Sequence, residues 1–94
     1  MKYVMTYECV PDFESLPDTY FQAHLAYLRD FAEGGQLLMI GPLQEPFNGD
    51  ALAVFTSSQA AEQFVAGDPF VENGVVKTWT IRPWAEGLMA EPAA

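Results

Sequence analysis

His24 is the single histidine of a 94-residue chain, and it lies within an amphipathic stretch, QAHLAYLRD (22–30). An imidazole takes up and releases protons near neutral pH, so His24 is a candidate general acid or base. That role needs a carboxylate nearby to orient the ring. The alternative is a structural histidine, half-buried, with its ring nitrogens bonded to backbone or water. The spacing places His24 one turn from Phe21 and Leu28, at the rim of an apolar helix face.

Asp68 is the candidate partner of His24. It stands in GDPF (67–70), directly after a predicted helix. An Asp-Pro pair is by itself typical of a turn whose carboxylate accepts backbone N–H bonds. If the two predicted helices pack side by side on one sheet, however, the end of the second approaches the middle of the first. A His–Asp pair formed there would fix the histidine tautomer, which prepares the ring for proton transfer.

The remaining residues with reactive side chains indicate no second site. Cys9 stands beside Glu8, whose charge disfavours a reactive thiolate. Ser57-Ser58 is best explained as a helix cap, because no G-x-S-x-G motif surrounds it. Gly41-Pro42 ends a predicted strand, where a glycine would also let a ligand approach the backbone. With one histidine and one cysteine in the chain, we predict neither a metal nor a cofactor.

The hydrophobic pattern predicts four strands and two helices. The strands are expected at 2–10, 36–43, 51–56 and 75–84, and the helices at 17–33 and 57–68. Ser15 with Asp18 is a start signal for the first helix, and Gly34-Gly35 ends it. We expect residues 68–74 to form a connector. The domain is predicted to cover 1–84, followed by a loosely docked tail at 85–94.

The element order β-α-β-β-α-β predicts an α+β, ferredoxin-like fold, with a four-stranded antiparallel sheet and both helices on one face. The predicted strands LLMI (37–40) and ALAVF (51–55) are apolar on both faces, so the face without helices needs a cover. Half of the residues are hydrophobic, which is more than one small domain can bury. We therefore predict a homodimer in which two sheets meet face to face as a dimeric α/β barrel.

The charge balance excludes several classes of partner. Four Lys/Arg against thirteen Asp/Glu give a net charge of −9, which would repel nucleic acids and anionic membrane surfaces. No apolar run approaches the roughly 20 residues that span a bilayer. The segment MKYVMTYECV (1–10) lacks the apolar region of a signal peptide, so we predict a cytoplasmic protein.

Several short motifs, in this order, resemble the YciI-like family over residues 1–84. They are H-x₃-L at His24, G-x-L-L-x-x-G-P ending at Pro42, A-x-x-F-x-x-x-D-P-F around Asp68, and the closing Ile81-Arg82-Pro83-Trp84. The resemblance implies a dimeric α/β barrel in which His24 and Asp68 form a catalytic dyad. It also implies kinship with lyases that eliminate halide from chlorinated hydroxylated aromatic rings, and a fold shared with muconolactone isomerases. Family members often carry an arginine three residues before the histidine, where this chain has Phe21.

Two hypotheses for function follow. The first is a small cofactor-free lyase or isomerase in which His24, oriented by Asp68, moves a proton on a small cyclic or hydroxylated aromatic substrate. Its pocket is expected to be lined by Phe21, Tyr27, Met39, Gly41, Pro42 and Phe70, with backbone groups near Gly41 polarising an oxygen. The second is a non-catalytic dimeric module that binds a small molecule. A heme-handling or monooxygenase-type barrel, with His24 on iron, finds no other support in the sequence.

Overall fold

The computed structural model describes residues 1–90, which form one sheet covered on one face by helices. The strands are β1 (Lys2–Cys9), β2 (Leu37–Pro42), β3 (Ala51–Phe55) and β4 (Val76–Trp84), and the helices are α1 (Asp18–Ala32), α2 (Ser58–Gly67) and the short α3 (Pro69–Glu72). The strand order is β2-β3-β1-β4, and every neighbouring pair is antiparallel. The predicted α+β, ferredoxin-like fold is confirmed.

The helix starts agree only in part with the sequence signals. Ser57 is the N-cap of α2, and its side chain accepts a hydrogen bond from the backbone N–H of Ala60, as predicted. Ser15 instead is the last residue of a short 3₁₀ helix, Phe13–Ser15, and α1 begins after Pro17 without any side-chain cap. Pro17 is the N-cap residue of α1, and its side chain has no oxygen that could accept a hydrogen bond from the first turn. The predicted connector at 68–74 contains α3, which the pattern missed because four residues are too few to show a period.

The core lies between the sheet and the helices. Met5 of β1, Phe55 of β3 and Phe64 of α2 are completely buried there. Phe31 of α1 packs edge-on against both Phe55 and Phe64, with ring centroids 6.2 and 5.3 Å away. Edge-to-face pairs of this kind add stability beyond the area that they bury. This aromatic cluster fixes α1 and α2 against the sheet and so determines which residues their facing sides bring together.

Helices α1 and α2 approach closely where Tyr27 crosses Gly67. The Tyr27 hydroxyl donates to the backbone carbonyl oxygens of Phe64, at 2.9 Å, and Gln63, at 3.2 Å. The Phe64 carbonyl is one of the last four of α2, which lack partners within the helix. A Cβ atom at Gly67 would lie 2.6 Å from the Tyr27 oxygen. A glycine is therefore required at this crossing.

The second face of the sheet has no cover within the described residues. Side chains alternate along each strand, so Val4 and Thr6 point away from the face that carries buried Met5. Leu52 and Val54 of β3 pair with them and lie on the same open face. Leu52 is 39% exposed. The open face thus combines apolar residues with the threonines and Arg82 that β4 contributes.

The N-terminus of the chain lies against Glu86, two residues after the end of β4. The N-terminal ammonium lies 3.0 Å from a carboxylate oxygen of Glu86, and their hydrogen bond lowers the pKa of that carboxyl. Leu88, further along the tail, is 88% exposed. The rest of the predicted tail, 91–94, lies outside the described residues. None of the helices within residues 1–90 is both long enough and apolar enough to cross a membrane.

Candidate active site

Asp68 occupies the junction between α2 and α3 and is completely buried. It follows the last residue of α2 and is the N-cap of α3, and its Oδ1 accepts the backbone N–H of Phe70 at 3.0 Å. Pro69 at the first position of α3 favours this geometry because its fixed φ angle is already helical. The sequence Asp-Pro-Phe therefore locks a carboxylate in place through local structure alone.

His24 projects from the middle of α1 onto this carboxylate. Its Nδ1 lies 2.7 Å from Asp68 Oδ1, a distance typical of a strong, charge-assisted hydrogen bond. Because an ionised carboxylate can only accept, Nδ1 carries the proton, and neutral His24 keeps a free lone pair on Nε2. This is the tautomer that a general base requires.

His24 is more deeply placed than the spacing predicted. It is 8% exposed and is the one buried residue of α1, so it lies deeper than the half-buried position of the structural alternative while it still lines the cavity. The reason is Phe70, whose ring lies flat on the imidazole with centroids 3.8 Å apart and an interplanar angle of 6°. The imidazole is thus covered by a residue of α3, and the hydrophobic period of α1 cannot predict that contact.

Tyr7 of β1 is a third member of the cluster, and the sequence reasoning missed it. Its hydroxyl donates to Asp68 Oδ2 at 2.7 Å. Burial, and then the negative charge of Asp68, raise the pKa of the Tyr7 hydroxyl far above its ordinary value, so it stays a donor. Each carboxylate oxygen of Asp68 therefore has a partner. Alternation in β1 places Tyr7 on the core face, but this pattern carries no sign of its carboxylate partner.

The free side of His24 faces a cavity of about 600 Å³. Within the described part of the chain, buried side-chain nitrogens and oxygens all have hydrogen-bond partners. Nε2 of His24 makes no hydrogen bond within residues 1–90, so it is not one of these fully buried atoms. It is therefore open to the cavity that the His24 ring lines. The lining consists of Tyr7, Cys9, Phe13, Glu14, Leu16, Pro17, Asp18, Tyr20, Phe21, His24, Leu25, Leu28, Ile40, Gly41, Pro42, Phe47, Gly49, Ala51, Phe70 and Val75. A base thus lies in the wall of an apolar chamber of ligand size.

The mouth of the cavity is built by two connecting loops that touch each other. Phe13, from the loop after β1, meets Phe47, from the loop after β2, edge to face with centroids 5.5 Å apart. Gly49, two residues after Phe47, has a φ of 91°, and a Cβ there would lie 3.0 Å from the Phe13 ring. The close approach of the two loops therefore depends on glycine at this position.

The model of the YCII-related domain matches residues 1–85. The chain belongs to this family. No curated protein sequence is significantly similar to it.

Two solved structures show how widely the fold of this YCII-related protein occurs. One is 5-chloro-2-hydroxyhydroquinone dehydrochlorinase from Burkholderia phenoliruptrix AC1100, in complex with 2,5-dihydroxybenzoquinone, at 20% identity and a TM-score of 0.73 over 93% of this chain and 96% of that one. The other is SnoaB, a cofactor-independent oxygenase from Streptomyces nogalater, at 14% identity and a TM-score of 0.53 over 93% and 94%. At these identities the likeness establishes the shared fold and nothing finer.

The YCII-related protein brings together most, but not all, of the residues predicted for the pocket. Phe21, Gly41, Pro42 and Phe70 line the cavity with His24, while Asp68 lies behind the ring.

Tyr27 and Met39 lie outside the cavity, contrary to the prediction. The Tyr27 hydroxyl is engaged by α2, so this side chain holds two helices together. Met39 is 70% exposed, because a register shift in β2 reverses the alternation: Leu37 pairs with core-facing Phe55, but Met39 pairs with Val54 on the open face.

Cys9 lines the cavity as a protonated thiol. Its Sγ lies 3.1 Å from the carbonyl oxygen of Gly49 and donates to it. Burial, and then the charge of Asp50, raise the thiol pKa to about 11, which leaves almost no thiolate at neutral pH. Within residues 1–90, no three His, Cys, Asp or Glu side chains stand close enough together to hold a metal ion. His24 is thus the group in the cavity wall best placed to move a proton.

Proposed function

We propose that this YCII-related protein is a small cofactor-free lyase or isomerase, in which His24 is the acid–base catalyst and Asp68 its orienting partner. The observation that carries the proposal is the 2.7 Å bond from Nδ1 to a completely buried carboxylate, with Nε2 free at the cavity. A purely structural histidine would be expected to have both ring nitrogens satisfied.

The surroundings of His24 suit it both as a neutral base and, after it has taken up a proton, as an acid. Neutral His24 offers the Nε2 lone pair to a substrate hydroxyl or an acidic C–H group. Once Nε2 is protonated, Asp68 stabilises the imidazolium charge, and the face of the Phe70 ring attracts it as well. A positioned general base of this kind contributes about 10²–10⁴-fold to the rate. The same group can return the proton at another atom, which is the chemistry of an isomerase.

The reaction class suggested by the relatives fits this single base. A fold neighbour acts as a dehydrochlorinase on a chlorinated hydroxyhydroquinone and binds a dihydroxybenzoquinone. For such a ring, His24 takes the proton of the hydroxyl next to the chlorinated carbon and returns it to that carbon, which gives a keto tautomer with a new C–H bond. Loss of a second hydroxyl proton and departure of chloride from the same carbon then give a quinone, so the net loss is HCl. The ring is oxidised as the carbon–chlorine bond is reduced, so no external oxidant is consumed. We propose a small cyclic or hydroxylated aromatic substrate for the present cavity.

Halide release tests the proposal directly. The wild type is incubated with chlorinated trihydroxybenzenes, and chloride is measured over time above the buffer rate. His24→Gln and Asp68→Asn are expected to keep the circular dichroism spectrum of the wild type and to lose at least about 100-fold in rate. Arg29→Gln, on the exposed side of the same helix, is the matched control and should retain full rate. Folded His24→Gln protein with undiminished turnover would contradict the acid–base assignment.

A non-catalytic ligand-binding module remains the second candidate, because an apolar cavity of about 600 Å³ suits ligand capture whether or not chemistry follows. It predicts that aromatic ligands bind while no test reaction exceeds its buffer rate. It also predicts that His24→Gln changes affinity by only a few-fold.

We propose further that the open sheet face, formed by Val4, Thr6, Leu52 and Val54, is the interface of a homodimer. A stable interface buries about 800 Å² per partner, and the apolar side chain of Leu52 is 39% exposed on this face. Leu52→Glu would place a charge in the centre of this interface and should give a monomer in sedimentation velocity. Leu88→Glu in the exposed tail is the matched control and should leave a dimer. A wild type that sediments as a monomer at micromolar concentration would refute the interface.

A further inference from the structure

The cationic side chains of the protein all lie away from the cavity. The chain contains four Lys/Arg residues, and all four fall within the described residues 1–90. Lys2 and Lys77 lie near acidic side chains at the ends of β1 and β4. Arg82 pairs with Val4 on the open sheet face, and Arg29 borders a separate shallow groove beside β2. None of them lines the cavity. His24 is then the one lining side chain that can become cationic, and its positive charge is already paired with the Asp68 carboxylate.

Negative charge, by contrast, is present at the cavity mouth. Glu14 of the 3₁₀ helix and Asp18 at the start of α1 both belong to the lining and are exposed to solvent. Asp18 is held by a hydrogen bond from the Gln22 side chain, with Nε2 at 3.2 Å from Oδ2. The N-terminus of α1 points to the same mouth, but its dipole is equivalent to about half a positive charge. Two full negative charges outweigh it.

The walls between the mouth and His24 are aromatic. Phe13, Tyr20, Phe21, Phe47 and Phe70 all contribute to the lining, and Phe21 stands 6.3 Å from Phe70 between ring centroids. Aromatic faces attract cations and repel anions because the ring quadrupole is negative above and below the plane. The aromatic walls therefore offer an anionic substituent no full positive charge.

We infer that the cavity selects ring substrates without an anionic substituent, in the affinity order cationic, neutral, anionic. The inference rests on the proposed function, since it assumes that the hydroxylated ring binds beside His24. It restricts the substrate class: hydroxylated rings that carry a carboxylate, sulfonate or phosphate group are rejected, whereas bare hydroxylated rings and their amines are accepted. Phe21, one helical turn before His24, lies in the wall beside Phe70, so its substitution by a cationic residue is the most direct way to reverse the selection.

Three phenols of similar shape test the selection at pH 7 in the wild-type protein: tyramine, 4-methylphenol and 4-hydroxybenzoate. Binding is followed by the ring-proton NMR signals of His24, which are unambiguous because the chain has a single histidine. We expect 4-hydroxybenzoate to bind at least about tenfold more weakly than 4-methylphenol, and tyramine to bind most tightly. These differences should shrink in 500 mM NaCl, where exposed charges are screened.

Matched variants separate the charge of the cavity from the charge of the whole protein. Phe21→Arg should bring 4-hydroxybenzoate to or above the affinity of 4-methylphenol, whereas Phe21→Met should keep the wild-type order. The double variant Glu14→Gln/Asp18→Asn should weaken tyramine, and Glu33→Gln/Glu62→Gln, with the same net charge but outside the lining, should not.

The outcomes distinguish the two levels of the proposal. If 4-hydroxybenzoate binds as tightly as 4-methylphenol and shifts the His24 signals, the charge selection is wrong while the aromatic site stands. If none of the three phenols shifts those signals at millimolar concentration, the proposed substrate class fails, and the charge selection fails with it.

Discussion

Removal of one hydroxyl oxygen, in Tyr7→Phe, tests whether Asp68 is held as a buried ionised carboxylate. The Asp68 side chain accepts three hydrogen bonds, from His24 Nδ1, the Tyr7 hydroxyl and the Phe70 N–H. The phenyl ring of the variant keeps its place against Phe64, 6.5 Å away between centroids, so little packing is lost. A hydrogen bond to a charged group contributes about 1.5–3 kcal/mol, and we expect the free energy of unfolding to fall by that amount.

Tyr27→Phe is the matched control, because it deletes the same atom from a hydroxyl bonded to uncharged backbone carbonyls. Its expected loss is about 0.5–1.5 kcal/mol. Urea denaturation of both variants at one fixed protein concentration gives the two values, with unchanged m-values as the check on two-state behaviour. The corresponding fall in melting temperature for Tyr7→Phe is on the order of 10 °C.

A loss in Tyr7→Phe no larger than that in Tyr27→Phe would refute the reasoning. A double-mutant cycle with Asp68→Asn locates the effect, because the Tyr7 substitution should then cost less in the absence of the carboxylate charge. Additive losses in the cycle would mean that the two side chains do not interact energetically, whatever their distance of 2.7 Å.

Two further predictions concern the helix crossing and the thiol. Gly67→Ala places a methyl group 2.6 Å from the Tyr27 oxygen and should lower the free energy of unfolding in urea by about 1–3 kcal/mol. Gly34→Ala, whose new methyl group has its nearest contact at 3.5 Å, is the control and should lower it by no more than a few tenths of a kcal/mol. Equal losses in the two variants would show that the helix crossing is loose. Burial raises the pKa of the Cys9 thiol from 9.0 to about 11, so the neutral thiol stabilises the fold below pH 9, and this contribution is lost as the pH rises through 11. Iodoacetamide should accordingly modify Cys9 far more slowly than free cysteine at pH 8, and a rate equal to that of free cysteine would contradict the burial.

The fold could be predicted well because its information is local. Alternating apolar and β-branched residues in KYVMTYECV (2–10), and the amphipathic period from Phe21 to Ala32, each specify an element without reference to the rest of the chain. The β-α-β-β-α-β order then leaves few topologies. Even the position of Asp68 could be predicted, because an Asp-Pro pair after a helix places its carboxylate by local turn chemistry.

The contacts between distant elements could not be predicted in the same way. The Tyr7–Asp68 bond joins residues 61 positions apart and exists because β1 is the central partner of both β3 and β4. Met39 was misplaced because a register shift is set by pairing with β3 and leaves no sign in the residue pattern. The depth of His24 depends on the Phe70 ring that covers it from α3. Each of these features arises only when the sheet and the helices assemble. The residue pattern of one segment therefore cannot predict it.

The two loops at the cavity mouth have a consequence for how such a protein can diversify. The buried core cluster takes no residue from either loop, and neither Phe13 nor Phe47 is packed against it. The dyad, by contrast, is anchored in β1, α1 and the α2–α3 junction. Mutations at the mouth are therefore expected to cost little folding stability and to leave the His24–Asp68 pair in place, so they can change which ligands the cavity accepts. A combinatorial library restricted to residues 13–17 and 43–48 should consequently contain a high proportion of folded proteins with altered selectivity. The same separation would allow one ancestral fold to give rise to many specificities.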